Sequence, residues 1–181
     1  MPKPSVPIRP LTDTSAARWL TAGLVGDERT IRAFVPPGFA SYVRVSAAGA
    51  AVPEPMGTVD PAVAAALADI LRGSTATPET CYFALWEGYA DEYQGQPTVT
   101  LPPDRGMHLF AGSVNDASRQ LGDRLPMRWW PDDHAWCVGG YMYGRSLYVG
   151  GSAEVTAAIL ASELLTAWPV DLSHVRPDEY E

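Results

Sequence analysis

The residues of this chain best suited to chemistry gather in Pro126–Gly151, where Asp132-Asp133-His134 sets two carboxylates beside an imidazole. Carboxylate and imidazole together can hold a divalent cation, and a carboxylate next to a histidine can make a general base. The spacing argues against both. Consecutive residues of a strand point to opposite faces. After Pro131 these residues are also ordinary turn formers, because aspartate accepts hydrogen bonds from its own backbone. No second ligand set stands at metal-site spacing. The expectation is a structural turn, with no metal and no cofactor.

Arg128-Trp129-Trp130 comes just before and offers a cation–π shelf, a ligand lid or a partner hot spot. Adjacent tryptophans on an extended chain face opposite ways, so the pattern predicts one ring in the core and the other exposed. Trp86 and Glu87 close a second aromatic run, Cys81–Tyr89, and set an acid at a strand end. The candidate binding residues are therefore Arg128, Trp129, Trp130, Asp132, Asp133, His134, Trp86 and Glu87, with no catalytic residue among them.

Other reactive types read as structure. His108 and His174 are isolated, and His108 stands beside Phe110 as a sheet-face histidine. Cys81 and Cys137 lie in apolar runs outside any C-x-x-C pair, which predicts buried, reduced and inert thiols. Gly150-Gly151-Ser152 could cradle an anion at a helix start. It lacks the P-loop lysine and the dinucleotide spacing, so it reads as a plain cap.

The elements that must position these residues follow from period and punctuation. Residues 1–11 form a proline-rich arm. Ala16–Leu24 is a short helix or a first strand, Asp27–Phe34 a short helix, and Phe39–Val45 an alternating strand. Ala47–Met56, rich in small residues, is a loop. Asp60-Pro61 caps a helix over 61–72 with Val63, Leu67, Ile70 and Leu71 on one face, and Gly73 stops it. Cys81–Trp86 is apolar on both sides, so it belongs in the middle of a sheet with both faces covered. Thr98–Leu101 and Met107–Ala111 are strands, and Ser113 with Asp116 boxes a helix from Val114 to Leu121. His134–Tyr143 and Ser146–Val149 make a hairpin turning at Gly144-Arg145, Ser152 caps the last helix, and a short segment surrounds Trp168. The fold class is α+β: a single domain over 12–172, a mainly antiparallel sheet with about three helices packed on one face, and an acidic tail over 173–181.

Composition narrows the function classes. The 181 residues are 46% hydrophobic with six tryptophans, enough for one well-filled core without staples. The net charge of −8 argues against a general nucleic-acid binder, which needs basic patches to neutralise phosphates. It suits a basic protein partner, since complementary charge speeds encounter. No apolar run approaches the roughly 20 residues of a membrane span, and no leader-type apolar stretch follows the start, so a cytoplasmic location is expected.

Four motifs carry a resemblance. They are Val35-Pro36-Pro37-Gly38-Phe39; Thr77-Pro78-Glu79 followed by Cys81–Tyr89; Trp130-Pro131-Asp132-Asp133 with Trp136; and Leu147–Gly151 before the last helix. Over about residues 17–170 the chain resembles a family of actinobacterial cytoplasmic proteins without an assigned activity. That resemblance implies no catalytic residues, and Ala47–Val59 is short beside those relatives. The functional expectation is a non-catalytic cytoplasmic binding protein, immunity- or antitoxin-like, that masks a basic protein partner. The alternative is a small-ligand or metal-binding protein, or a hydrolase-like enzyme, built on Asp132-Asp133-His134 and Trp129-Trp130.

Overall fold

Alternation of apolar side chains over Cys81–Trp86 decides the architecture, because a strand that is apolar on both sides needs two covering layers. The computed structural model describes residues 7–46 and 59–176. In it Cys81–Trp86 is strand β3 of a nine-stranded sheet, flanked on both edges by other strands. The strands are β1 (Arg9–Pro10), β2 (Ser41–Ser46), β3, β4 (Val99–Leu101), β5 (Arg105–Gly112), β6 (Arg128–Pro131), β7 (Cys137–Gly140), β8 (Ser146–Gly151) and β9 (Thr166–Val170). Their order is β1-β5-β3-β6-β7-β8-β2-β9, with β4 also pairing with β5. Every pairing is antiparallel. The fold is α+β, as the sequence predicts.

One face of the sheet carries Phe83, Trp129, Val138 and Val149 and is covered by helices α2 (Pro61–Arg72) and α3 (Ala153–Ala161). Helix α2 starts as its sequence dictates. Asp60 accepts from the Ala62 amide at 2.8 Å, Pro61 needs no donor, and Gly73 follows the last turn. Its stripe of Val63, Leu67 and Leu71 is buried. The Trp136 indole N–H then donates to the Leu71 carbonyl at 3.0 Å, which also accepts from the Ser74 amide at 3.0 Å as the helix ends. Trp136 also meets Trp129 edge-on at 5.3 Å, so one residue ties α2 to the sheet.

The opposite face carries Ala84, Leu109, Trp130 and Tyr148, and the segment 17–35 covers it. Helices therefore lie on both faces, against the expectation of one: α1 (Arg18–Gly23) buries Leu20 on the side away from α2 and α3. The rest of this cover is irregular. Asp27–Phe34 forms no α-helix, only a turn in which the Thr30 amide donates to the Asp27 carbonyl at 3.0 Å and a tight turn, Ile31–Ala33. Asp27 accepts from the Arg29 amide at 3.0 Å, a local bond that competes with helix start. Residue 139 lets this cover approach. A Cβ built on Gly139 would strike the Phe34 carbonyl group, its carbon 2.7 Å away.

Two more elements are shorter than their patterns predict. Ser113 and Asp116 make the capping box, the Ser113 amide donating to Asp116 at 2.8 Å, yet only a tight turn over Val114–Ser118 follows. Asn115 and Ser118 are weak helix formers, and Ser118 bonds back to the Asn115 carbonyl at 3.5 Å. The strand expected from His134 begins only at Cys137, because 132–135 fold into a turn with His134 at φ 55°. The Ala47–Met56 stretch and residues 1–6 of the arm lie outside the described residues, whereas Arg9–Pro10 pairs with β5. The acidic tail is held through residue 176. Val175 bridges Thr30, and the Arg176 guanidinium lies 4.3 Å over Tyr141.

Candidate functional site

The eight candidate residues fall into three places. Asp132, Asp133 and His134 form an exposed turn after β6. Its polar groups are engaged by the chain itself. Asp133 accepts from the Thr75 hydroxyl at 2.7 Å, the Ala76 amide at 2.7 Å and the Ala135 amide at 3.1 Å. Burial alone would push its carboxyl up, but these bonds outweigh burial and hold it below the ordinary aspartate value. Asp132 accepts from the Tyr82 hydroxyl at 2.9 Å. His134 stacks on Trp19, with ring centres 4.2 Å apart and planes within 15°. The turn pins the 75–77 loop and α1 to the sheet. Among the described residues no group of three or more His, Cys, Asp or Glu could hold a metal ion.

Arg128, Trp129 and Trp130 are all buried. The expectation that one tryptophan reaches the surface is corrected: the two rings point to opposite faces as the strand requires, but both faces are covered, so each is fully enclosed. Arg128 is the surprise. It is 3% exposed and faces the same side as Trp130 and Phe34. Its terminal nitrogens donate to the Ala33 carbonyl at 3.3 Å and to the Pro102 carbonyl, and its charge lies 5.3 Å from the Phe34 ring centre. Its Nε–H has no partner. Ion pairs among the described residues are Arg29–Asp27, Arg119–Asp116 and Arg124–Asp123, none of which neutralises it. Burial lowers its pKa to about 10, so the side chain remains a cation at neutral pH. A buried charge without a counter-ion costs several kcal/mol, on the order of 3–5 by the usual loss of one partner.

Trp86 and Glu87 occupy the third place, the end of β3, where the sequence sets an acid against a strand terminus. Beyond them the chain makes two tight turns, Glu87–Tyr89 and Asp91–Tyr93, that curl over the start of β5. These turns wall a surface groove of about 700 Å³ whose lining includes Trp86, Glu87, Asp91, Gln94 and His108. A second hollow of about 280 Å³ adjoins it through Gly88 and Asp91 and reaches Glu92 and Asp123. Glu87, Asp91, Glu92 and Asp123 are exposed, and the cation at this end, Arg124, pairs with Asp123 at 3.0 Å and covers the Tyr89 ring at 4.4 Å. Gly106 makes room for the Glu87 carboxylate, whose Oε1 would lie 2.8 Å from any Cβ there. His108 is 4% exposed and forms part of the groove wall, with Nδ1 3.4 Å from the Pro97 carbonyl. The sequence points to Trp86 and Glu87 but not to His108, Asp91, Glu92 or Asp123. The signal available was the acid pair Asp91-Glu92 between Tyr89 and Tyr93.

Both cysteines are unpaired and buried. Burial pushes the Cys137 thiol up to about 12 and the Cys81 thiol well above its ordinary value, so neither is a nucleophile near neutral pH. Ser152 uses its hydroxyl to cap α3, accepting from the Val155 amide at 3.2 Å. No helix among the described residues is long and apolar enough to cross a membrane. No protein-family model matches the chain, and neither curated proteins nor solved structures show significant similarity to it.

Proposed function

We propose that this protein is a non-catalytic binding protein that masks a basic protein partner, in the manner of an immunity or antitoxin factor, and that it works in the cytoplasm. One observation carries the proposal: the acidic double groove at the end of β3. Glu87, Asp91, Glu92 and Asp123 line it together with half-buried Trp86 and Tyr89, with Arg124 as a neighbouring cation. Aromatic surface with an acidic rim suits lysine and arginine side chains. Their aliphatic stems pack on the rings while their charged heads meet carboxylates. The overall charge of −8 adds long-range attraction for the same partner. The alternative, a ligand or metal site on Asp132-Asp133-His134, would need those side chains to converge on a common point. They are engaged by Tyr82, Thr75 and Trp19 instead.

The test is a titration of labelled lysine- and arginine-rich peptides against neutral and acidic ones, at low and at physiological ionic strength. The basic peptides should bind most tightly, lose affinity with salt, and weaken about ten-fold in a Glu87→Gln/Asp91→Asn variant, a change of ~1.4 kcal/mol. Equal binding of basic and acidic peptides at low salt, or a double variant that binds like the parent, removes the proposal.

A further inference from the structure

His108 is 4% exposed, yet it forms part of the wall of the acidic groove. Strand β5 sets it opposite Leu85, with Gly106 two residues earlier on the same face. The Tyr93 ring lies across it, with ring centres 6.3 Å apart. Its Nδ1 stands 3.4 Å from the Pro97 carbonyl oxygen. That oxygen can only accept, so the proton belongs on Nδ1 and the lone pair on Nε2. Nε2 has no hydrogen-bond partner among the described residues, and it is not sealed away from solvent as the Trp129 and Trp130 indole nitrogens are. A buried imidazole therefore turns an unused acceptor to the groove. Glu87 is its neighbour: the carboxylate lies over Gly106, with Oε1 2.8 Å from the position a Cβ would take there. Side chains two residues apart on a strand stand about 7 Å from each other, a gap that a small donor group can bridge. Neither Glu87 nor Asp91, on the facing turn, has an ion pair among the described residues.

We propose that the groove receives a lysine side chain of the partner, its primary ammonium shared by His108 Nε2 and the carboxylates of Glu87 and Asp91, its hydrocarbon stem along Trp86. This rests on the reading of the groove as the site for a basic protein, and narrows it from basic residues in general to lysine. An ammonium is a compact charge with three N–H donors on a flexible stem, and three acceptors contributed by three separate segments suit it. A guanidinium is broad and planar and pairs best with the two oxygens of one carboxylate, which leaves Nε2 unmatched. A trimethylated lysine keeps the charge and loses every N–H donor, so charge and donor count can be separated.

Titration of the full chain with end-blocked octapeptides tests this, with glycine alternating with lysine, arginine or trimethyl-lysine so that the charge is equal. The lysine peptide should bind at least five-fold more tightly than the arginine peptide and at least ten-fold more tightly than the trimethylated one. His108→Phe keeps the ring volume and removes the acceptor. It should weaken the lysine peptide at least five-fold and leave the arginine peptide within a factor of two. If that variant fails to fold, the trimethyl-lysine comparison in the parent protein decides the matter. Lysine and arginine peptides that bind equally and still lose affinity with salt would overturn the lysine assignment and leave the basic-partner reading in place. Trimethyl-lysine held as tightly as lysine, the mark of an aromatic cage that reads charge alone, or a folded His108→Phe with its lysine preference intact, would do the same. Failure of every basic peptide to bind would overturn both.

Discussion

The turn Asp132–His134 and the groove at Glu87–Asp91 are both exposed and rich in charge, yet they are opposites. In the turn each of the three side chains already has an intramolecular contact: Asp133 holds the 75–77 loop, Asp132 accepts from Tyr82, and the His134 ring stacks on Trp19. In the groove the carboxylates of Glu87 and Asp91 have no ion pair among the described residues, and the wall around them is open. Density of ionisable groups along the chain marks the first region, while freedom of those groups marks the second. A binding surface needs the second property, because a side chain satisfied internally must break a bond before it can make another.

Variants can break this contrast. The largest effect is expected from Asp133→Ala, which removes several bonds to one ionised carboxylate. It should lower stability by about 2 kcal/mol, or about 4–8 °C in Tm for a chain of this size, and leave peptide binding unchanged. A loss of peptide binding with intact Tm would put function in the turn. Next comes Glu87→Gln/Asp91→Asn, expected to shift Tm by no more than about 0.5 kcal/mol in stability terms while weakening basic peptides as described. Gly106→Ala crowds the Glu87 carboxylate and should weaken the same peptides by a factor of about 2–3 through displacement of one contact of the charged group, checked by the same titration. Acid titration sharpens the picture further. The carboxyl of Asp133 lies lower in the folded state than in the unfolded chain, so its contribution is present above the unfolded value near pH ~3.9 and is lost as pH falls through the folded value. The Tm gap between the parent and Asp133→Asn should therefore be widest above about pH 4 and close on further acidification. A gap that grew in acid would reverse the assignment. The smallest effect is expected from His134→Ala, about 0.5 kcal/mol from the lost stack on Trp19, measured by chemical denaturation.

What the sequence disclosed follows from how local each signal is. Helix α2 was legible because its cap, proline, stripe and stop all lie within 60–73 and agree. Strand β3 was legible to the residue, and its two apolar sides correctly announced a sheet covered on both faces. What forms the second cover was not foreseen, since the short elements expected over 16–24 and 27–34 carry no local signal of the face they cover. It is held by a close approach to Gly139, a contact between residues far apart in sequence. The same limit applies to the candidate sites. Trp86 and Glu87 were visible at a strand end, but His108 and Asp123 reach the groove through pairing of β5 with β3 and through a later loop, which no local pattern encodes. Trp129 and Trp130 failed the opposite way. Strand alternation correctly sent them to opposite sides, and only knowledge of the second layer shows that both sides are interior.

Gly139 turns an absence into a constraint. Because nothing projects from that point of β7, the carbonyl of Phe34 rests almost on the backbone, and the neighbouring Ala33 carbonyl reaches Arg128. A single added methyl could fit only if the Phe34 carbonyl moved, and the contact from the adjoining residue to the guanidinium would be disturbed with it.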